Sequence, residues 1–214
     1  MSASLVLRTR AADGTRAIAR TLATVLAPGD LLILDGPLGA GKTTFTQGLG
    51  EGLGVRGPVA SPTFVIERIH PSLADGPALA HVDAYRLAGA GDLDDLDLEA
   101  DLDHAVTVVE WGRDRAEHLA DSHLLIELER PGQVEDPEDP DEPRRLVLTG
   151  HGARWDEQAR THLAAALRAG GHEIAEPGAD AQDPPGIHQD HHQHNHQDTH
   201  QDPEQGPEQT EETP

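Results

Sequence analysis

The chain has 214 residues and a formal net charge of -23, with 39 acidic against 16 basic residues, no cysteine and 2% aromatic residues. The lack of cysteine excludes disulfides, thiolate metal sites and cysteine nucleophiles, and the acidic balance excludes the basic footprint of an autonomous tRNA- or DNA-binding protein. No apolar run approaches the roughly 20 residues of a membrane span, and "MSASLVLRTRAADGTRA" lacks the apolar core of a signal peptide, so a cytoplasmic protein with no membrane association is expected.

Residues 4–8, "SLVLR", alternate like a strand, and "ADGTRAIARTLATVLAPGD" carries a helical pattern with Ile18, Leu22, Val25 and Leu26 on one side. Asp13 is the expected cap of that helix and Pro28-Gly29 its end. "LLILD", residues 31–35, is a short continuous apolar run of the kind buried on both faces of a sheet. Glycines follow, and "KTTFTQGLGEGLG" reads as a helix despite its own glycines. Residues 63–69, "TFVIERI", and 79–85, "LAHVDAY", read as two strands of a hairpin joined by the turn-rich "HPSLADGP", so the sheet is expected to be mixed. The acidic stretch 91–103, with leucines at 93, 96 and 98, reads as a short surface helix. "AVTVVEW", 105–111, is another buried strand; "HLLIELE" and "RRLVLTG" are strands flanking an acidic, proline-rich insertion at 131–143. "WDEQARTHLAAALRA", 155–169, closes the body as an amphipathic helix. The expected fold is a single α/β domain with a mixed sheet over residues 1–171.

Residues 172–214 are expected to be a disordered, acidic, His-rich tail, because they hold 11 acidic residues, no basic residue and no aromatic. Residues 92–103 carry a charge of -7 and residues 135–142 a charge of -6, and the remaining 15 acidic residues nearly balance the 16 basic ones. The body is therefore not intrinsically repelled by a nucleotide.

Fifteen of the 16 basic residues are arginines, and the one lysine, Lys42, lies in "GPLGAGKT", residues 36–43. This matches G-x-x-x-x-G-K-[ST] with a buried strand before it and a helix after it. Gly36, Gly39 and Gly41, with Pro37, Leu38 and Ala40 between them, let the backbone curl so that amide NH groups converge on a polyphosphate at the positive end of the helix. Lys42 would reach the β and γ phosphates as a compact charge on a flexible stem, which arginine's planar fork does not replace. Thr43 would offer its hydroxyl to Mg²⁺, and Thr44 completes the nucleotide-binding segment. A guanine-reading Asn-Lys-x-Asp segment is impossible where Lys42 is the sole lysine, which favours ATP.

Downstream, "SPTF" at 61–64 places hydroxyls where a switch-like segment meets a γ-phosphate, "HVDAYRL" puts Asp83 inside an apolar strand, and "VVEWG" puts Glu110 at the carboxyl end of a buried strand. Carboxylates there are costly to bury unless they meet a cation, and magnesium beside the phosphates supplies one. The plainer readings are a strand-end turn residue for Asp83 and a surface carboxylate for Glu110. Tyr85 and Trp111, beside these acids, fit core packing and a nucleotide contact equally well.

The succession "GPLGAGKTTFTQGL", "SPTFVI", "HVDAYRL", "VVEWG" closely resembles the bacterial TsaE (YjeE) family, the ATPase component of the machinery that makes threonylcarbamoyladenosine in tRNA. The resemblance runs from about residue 5 to residue 169. It implies a small P-loop α/β fold, weak ATPase activity alone, and assembly with TsaD and TsaB, hydrolysis supporting repeated cycles of threonylcarbamoyl transfer rather than performing the transfer. Carried over by motif, Lys42 and the Gly36–Thr43 loop hold the phosphates, Thr43 and Glu110 hold Mg²⁺, and Asp83 is essential for hydrolysis by orienting water or supporting the metal. Lys42, Asp83 and Glu110 are thus the expected catalytic residues. Thr63 is the candidate γ-phosphate sensor, and Arg86 either meets a partner, stabilises charge or forms a structural salt bridge.

Two alternatives stand beside this reading. A small-molecule P-loop kinase would need an acceptor-binding segment and usually an arginine-bearing lid, and no obvious lid is present in the sequence. A metallochaperone NTPase would use the six histidines between 188 and 200, which drift in an unconstrained polar tail also explains.

Overall fold

Four consecutive aliphatic residues in Leu31–Asp35 make a strand that must be covered on both faces. In the computed structural model this strand, β2, lies at the centre of an eight-stranded sheet, with β5 (Ala105–Glu110) and β6 (His123–Glu129) parallel on either side of it. The structure describes residues 4–87, 90–94, 103–130 and 143–175. The period of two along β2 divides the core: Leu32 and Leu34 join one apolar layer, Leu31 and Ile33 the other.

The remaining strands are β1 (Leu5–Arg10), β3 (Glu67–His70), β4 (Ala78–Asp83), β7 (Pro143–His151) and β8 (Ile174–Ala175), and the order across the sheet is β3-β4-β5-β2-β6-β7-β1-β8. β4 runs parallel to β5, whereas β3 on β4, β7 on β6, and β1 on both β7 and β8 are antiparallel. The sheet is mixed, as the hairpin pattern predicts.

Three helices, α1 (Ala11–Ala23), α2 (Lys42–Leu53) and α4 (Glu157–Ala169), cover the face that holds Leu32 and Leu34. Ile18, Leu22, Phe45, Leu49, Leu163 and Leu167 are their buried contributions. Among the described residues, the opposite face is covered by the 3-10 turn Ala84–Arg86, the short helix α3 (Ala90–Asp94) and the 3-10 turn Glu117–Leu119, which bring Ala84, Leu93 and Leu119 over Ile33 and Val109.

The glycines of α2 have a packing reason. A Cβ at Gly48 would lie 2.4 Å from the Arg16 carbonyl oxygen, and one at Gly52 would lie 2.6 Å from the Ala23 methyl. The two helices touch backbone to backbone there, and any side chain would part them.

Several boundaries differ from the sequence pattern. The strand expected over 63–69 begins only at Glu67, because Pro62–Ile66 forms a turn in which the Pro62 carbonyl accepts from both Val65 N (2.8 Å) and Ile66 N (2.6 Å). Asp13 does not cap α1: the helix starts at Ala11 behind Arg10, and Asp13 sits in its first turn, paired with Arg16 at 2.9 Å. That helix ends at Ala23, before Pro28-Gly29, and Val25 and Leu26 pack from the segment beyond it. Trp155 precedes α4 in a 3-10 turn, and Asp156 is the cap, accepting from Ala159 N at 2.8 Å. Strand pairing also continues past residue 171, since Ile174 and Ala175 pair with Leu7 and Val6.

Leu93 of the acidic stretch is fully buried, so α3 is anchored to the body. Leu96, Leu98, the insertion at 131–142 and the tail from 176 onward lie outside the described residues. Among the described residues, no helix is long and apolar enough to cross a membrane.

Candidate functional site

Three parallel strands end together. Asp83, the last residue of β4, pairs in register with Glu110, the last of β5, and Glu110 neighbours Leu34 of β2, just before the glycine-rich loop. The carboxyl ends of parallel strands are where open α/β sheets bind ligands.

The loop runs from Gly36, where φ is +140° and a Cβ would fall 2.2 Å from the Leu128 carbonyl oxygen, so only glycine passes. It enters α2 through Gly41, and no side chain caps the first turn, which leaves that turn's amide NH groups for an outside acceptor. The Lys42 ammonium donates to the carbonyls of Gly36 (2.7 Å) and Pro37 (3.0 Å) and lies 3.4 Å from the centroid of the Trp111 ring. Burial pushes its pKa below the ordinary lysine value, opposed by the carboxylates of Glu110, Asp35 and Asp83.

Both acids are buried and held. Thr43 donates its hydroxyl to Glu110 Oε2 at 3.1 Å, and the other oxygen, Oε1, meets His81 Nε2 at 2.8 Å. Asp83 Oδ2 accepts from the hydroxyls of Ser61 (3.0 Å) and Thr63, and Oδ1 accepts from the Tyr85 amide at 3.0 Å. The turn at Pro62–Ile66 that displaces the expected strand is what brings Thr63 onto Asp83.

A cleft of about 240 Å³ is lined by Leu38, Gly39, Gly41, Lys42, Thr43, Thr44, Ser61, Thr63, Asp83, Glu110 and Trp111. The sequence-predicted residues therefore converge, with three qualifications. Gly36 and Pro37 meet Lys42 through their carbonyls, and the Ala40 side chain is fully buried in the apolar core rather than facing the cleft. Arg86 lies over the Phe64 ring at 4.8 Å, and Phe64 is 84% exposed.

Trp111 and Tyr85 are not core residues. Their ring centroids are 5.2 Å apart and Tyr85 is 62% exposed. Trp111 has φ +61°, a left-handed conformation costing a bulky residue about 1–3 kcal/mol, and that turn carries its indole over Lys42.

The arrangement joins a cation and free amide donors to a rim of oxygen donors. Thr43, Glu110 and Asp83 present hard oxygens of the kind that suit Mg²⁺, and the Lys42 side suits a polyphosphate. Sequence reasoning missed His81. Its signal was present, since His81 lies two residues before Asp83 and a strand puts both on one face.

A model of the family described as "Threonylcarbamoyl adenosine biosynthesis protein TsaE" matches residues 9–136. A Streptomyces coelicolor protein named tRNA threonylcarbamoyladenosine biosynthesis protein TsaE is 55% identical over 141 residues, 65% of this chain and 93% of that one. The Bacillus subtilis protein of the same name is 38% identical over 151 residues, 70% of this chain and 87% of its own. A crystal structure of YdiB from Bacillus subtilis superposes with a TM-score of 0.60 at 36% identity, covering 77% of this chain and 97% of that chain, and agrees with a P-loop NTPase-like fold. The glycine loop, the SPTF turn and β5 with Glu110 all fall inside the matched span, and the chain belongs to the TsaE family.

Proposed function

We propose that this protein is the ATP-binding and ATP-hydrolysing subunit of the machinery that makes tRNA threonylcarbamoyladenosine, supporting cycles of threonylcarbamoyl transfer to the adenosine next to the anticodon. The family's role in threonylcarbamoyladenosine biosynthesis supports the process, and the convergence of Lys42, Thr43, Asp83 and Glu110 on one cleft supports the chemistry. That convergence is the observation on which the reading rests. TsaD and TsaB are the proposed partners, and the cytoplasm the proposed compartment.

In this reading the Gly36–Thr43 backbone and the first turn of α2 bind the phosphates, and Lys42 leaves its carbonyl acceptors to take the β and γ oxygens. Thr43 and Glu110 would hold Mg²⁺, which when bound would offset negative charge on the phosphates. Asp83 orients the attacking water or supports the metal, and Thr63, whose hydroxyl rests on Asp83, is free to exchange that acceptor for the γ-phosphate. Trp111 screens Lys42 from bulk water, which strengthens its pull on phosphate.

The test is ATP hydrolysis by wild type and Lys42→Ala, each with and without the matching TsaD and TsaB proteins. Slow hydrolysis that rises with the partners and vanishes in the variant supports the proposal. Equal rates with and without the partners overturn the subunit role and leave a P-loop ATPase.

A further inference from the structure

His81 is fully buried in β4, and its Nε2 lies 2.8 Å from Glu110 Oε1. A histidine sealed into an apolar sheet is costly unless it does something there. Its other nitrogen, Nδ1, is buried with no hydrogen-bond partner among the described residues. To meet the carboxylate, Nε2 carries the hydrogen, and in the neutral ring the unpaired atom is then a lone pair rather than an N–H.

The strand register gives the contact its geometry. His81 is paired with Val108 and Asp83 with Glu110, so Glu110 reaches back by two residue pairs to His81 with one oxygen and forward to Thr43 with the other. Without the His81 bond, Glu110 keeps only the Thr43 hydroxyl on Oε2, and the orientation of the carboxylate rests on one contact where there were two. Among the described residues, His81 and Thr43 are the hydrogen-bond partners of the Glu110 carboxylate.

We propose that His81 is a positioning residue: its Nε2–H holds Glu110 Oε1 so that Oε2 is presented beside Thr43 as a magnesium ligand. This rests on the reading of Thr43 and Glu110 given above. Carboxylate ligands are commonly fixed by such outer partners, and loss of one costs about 10–100-fold in metal affinity or activity.

The probe is Mn²⁺ in place of Mg²⁺, followed by electron paramagnetic resonance on the full chain with ADP, which needs no hydrolysis. His81→Leu, of similar bulk and without a donor, is expected to weaken Mn²⁺ binding to the ADP complex about tenfold while changing ADP affinity in EDTA by less than about twofold. His81→Gln, whose amide nitrogen reaches the place of Nε2, restores most of the loss. In a Glu110→Gln background, His81→Leu adds little, since the two act through one oxygen.

Unchanged Mn²⁺ affinity in His81→Leu overturns the proposal. So does an equal loss of metal-free ADP binding, which marks a general packing role. Failure of the wild type to bind ADP or Mn²⁺ would overturn the nucleotide-site reading itself, and so is distinguishable from a failure confined to His81. Should His81→Leu not fold, His81→Asn takes its place: its shorter amide does not reach the position of Nε2, the same tenfold weakening of Mn²⁺ binding is expected, and unchanged Mn²⁺ affinity overturns the proposal.

Discussion

An alanine at Gly48 tests how far α2, the helix that follows the glycine loop, depends on its contact with α1. On an isolated helix the substitution gains about 1 kcal/mol from propensity. Here the new methyl would stand 2.4 Å from the Arg16 carbonyl oxygen, 2.7 Å from Arg16 Cα and 2.8 Å from the Ala19 methyl, against ordinary contacts of 3.4 Å or more. The two nearest atoms belong to the backbone, so rotamer changes give no relief and the helices must part locally by about 1 Å. Overpacking of this kind costs about 1–3 kcal/mol, and with backbone on one side the upper end applies. The net is a loss of about 2 kcal/mol. At about 2–4 °C per kcal/mol for a domain of this size, Tm falls by roughly 4–8 °C. The assay is calorimetry of the nucleotide-free protein, with urea unfolding to check that the m-value is unchanged. Adding Ala19→Gly recovers only part of the loss, because the Arg16 carbonyl remains the closest atom. A rise in Tm for Gly48→Ala would refute the backbone contact and show α2 obeying propensity alone.

Arg154→Ala removes the donors that hold buried Asp30 at 2.8 and 2.9 Å, leaving it the Ala27 amide; because Arg154 is 38% exposed the cost is about 2 kcal/mol, short of a fully buried pair. Calorimetry should show a Tm roughly 4–8 °C lower with ADP affinity intact, and an unchanged Tm would mean that water replaces the arginine freely. Lys42→Met gives a pH test: the folded state releases the Lys42 proton below the ordinary value of 10.5 at which the unfolded chain does, so wild-type stability rises with pH across that interval. Urea unfolding at neutral and alkaline pH should show wild type gaining on the variant as pH rises, and a widening deficit contradicts the burial of the ammonium. Thr63→Val leaves Ser61 on Asp83 and should lower kcat for ATP about tenfold with KM nearly unchanged; a change confined to KM assigns Thr63 to uniform binding instead.

What was legible in the sequence followed from burial. "LLILD" announces a central strand because four aliphatic residues in a row cannot face water on either side, and the loop after it announces the strand-to-helix turn that delivers Lys42 and Thr43 to the cleft. What was misread lies where function overrides local preference. Thr63, Phe64, Val65 and Ile66 have the composition of a strand, yet Phe64 is 84% and Val65 67% exposed, and Ile66 adopts φ +70°. A strand through Thr63 would give its hydroxyl no reason to meet Asp83, whereas the turn at Pro62 delivers it there at the expense of apolar exposure and backbone strain. Trp111 follows the same logic: continued extension of β5 would carry its ring away from Lys42, and the left-handed step brings it over the ammonium. Departures from propensity that cluster around one cleft are what a site under functional constraint produces. His81 departs from no propensity, since a histidine in a strand is unremarkable by pattern. Its spacing from Asp83 puts it on the face of that acid, and the register that sets β4 beside β5 then brings its ring onto the Glu110 carboxylate.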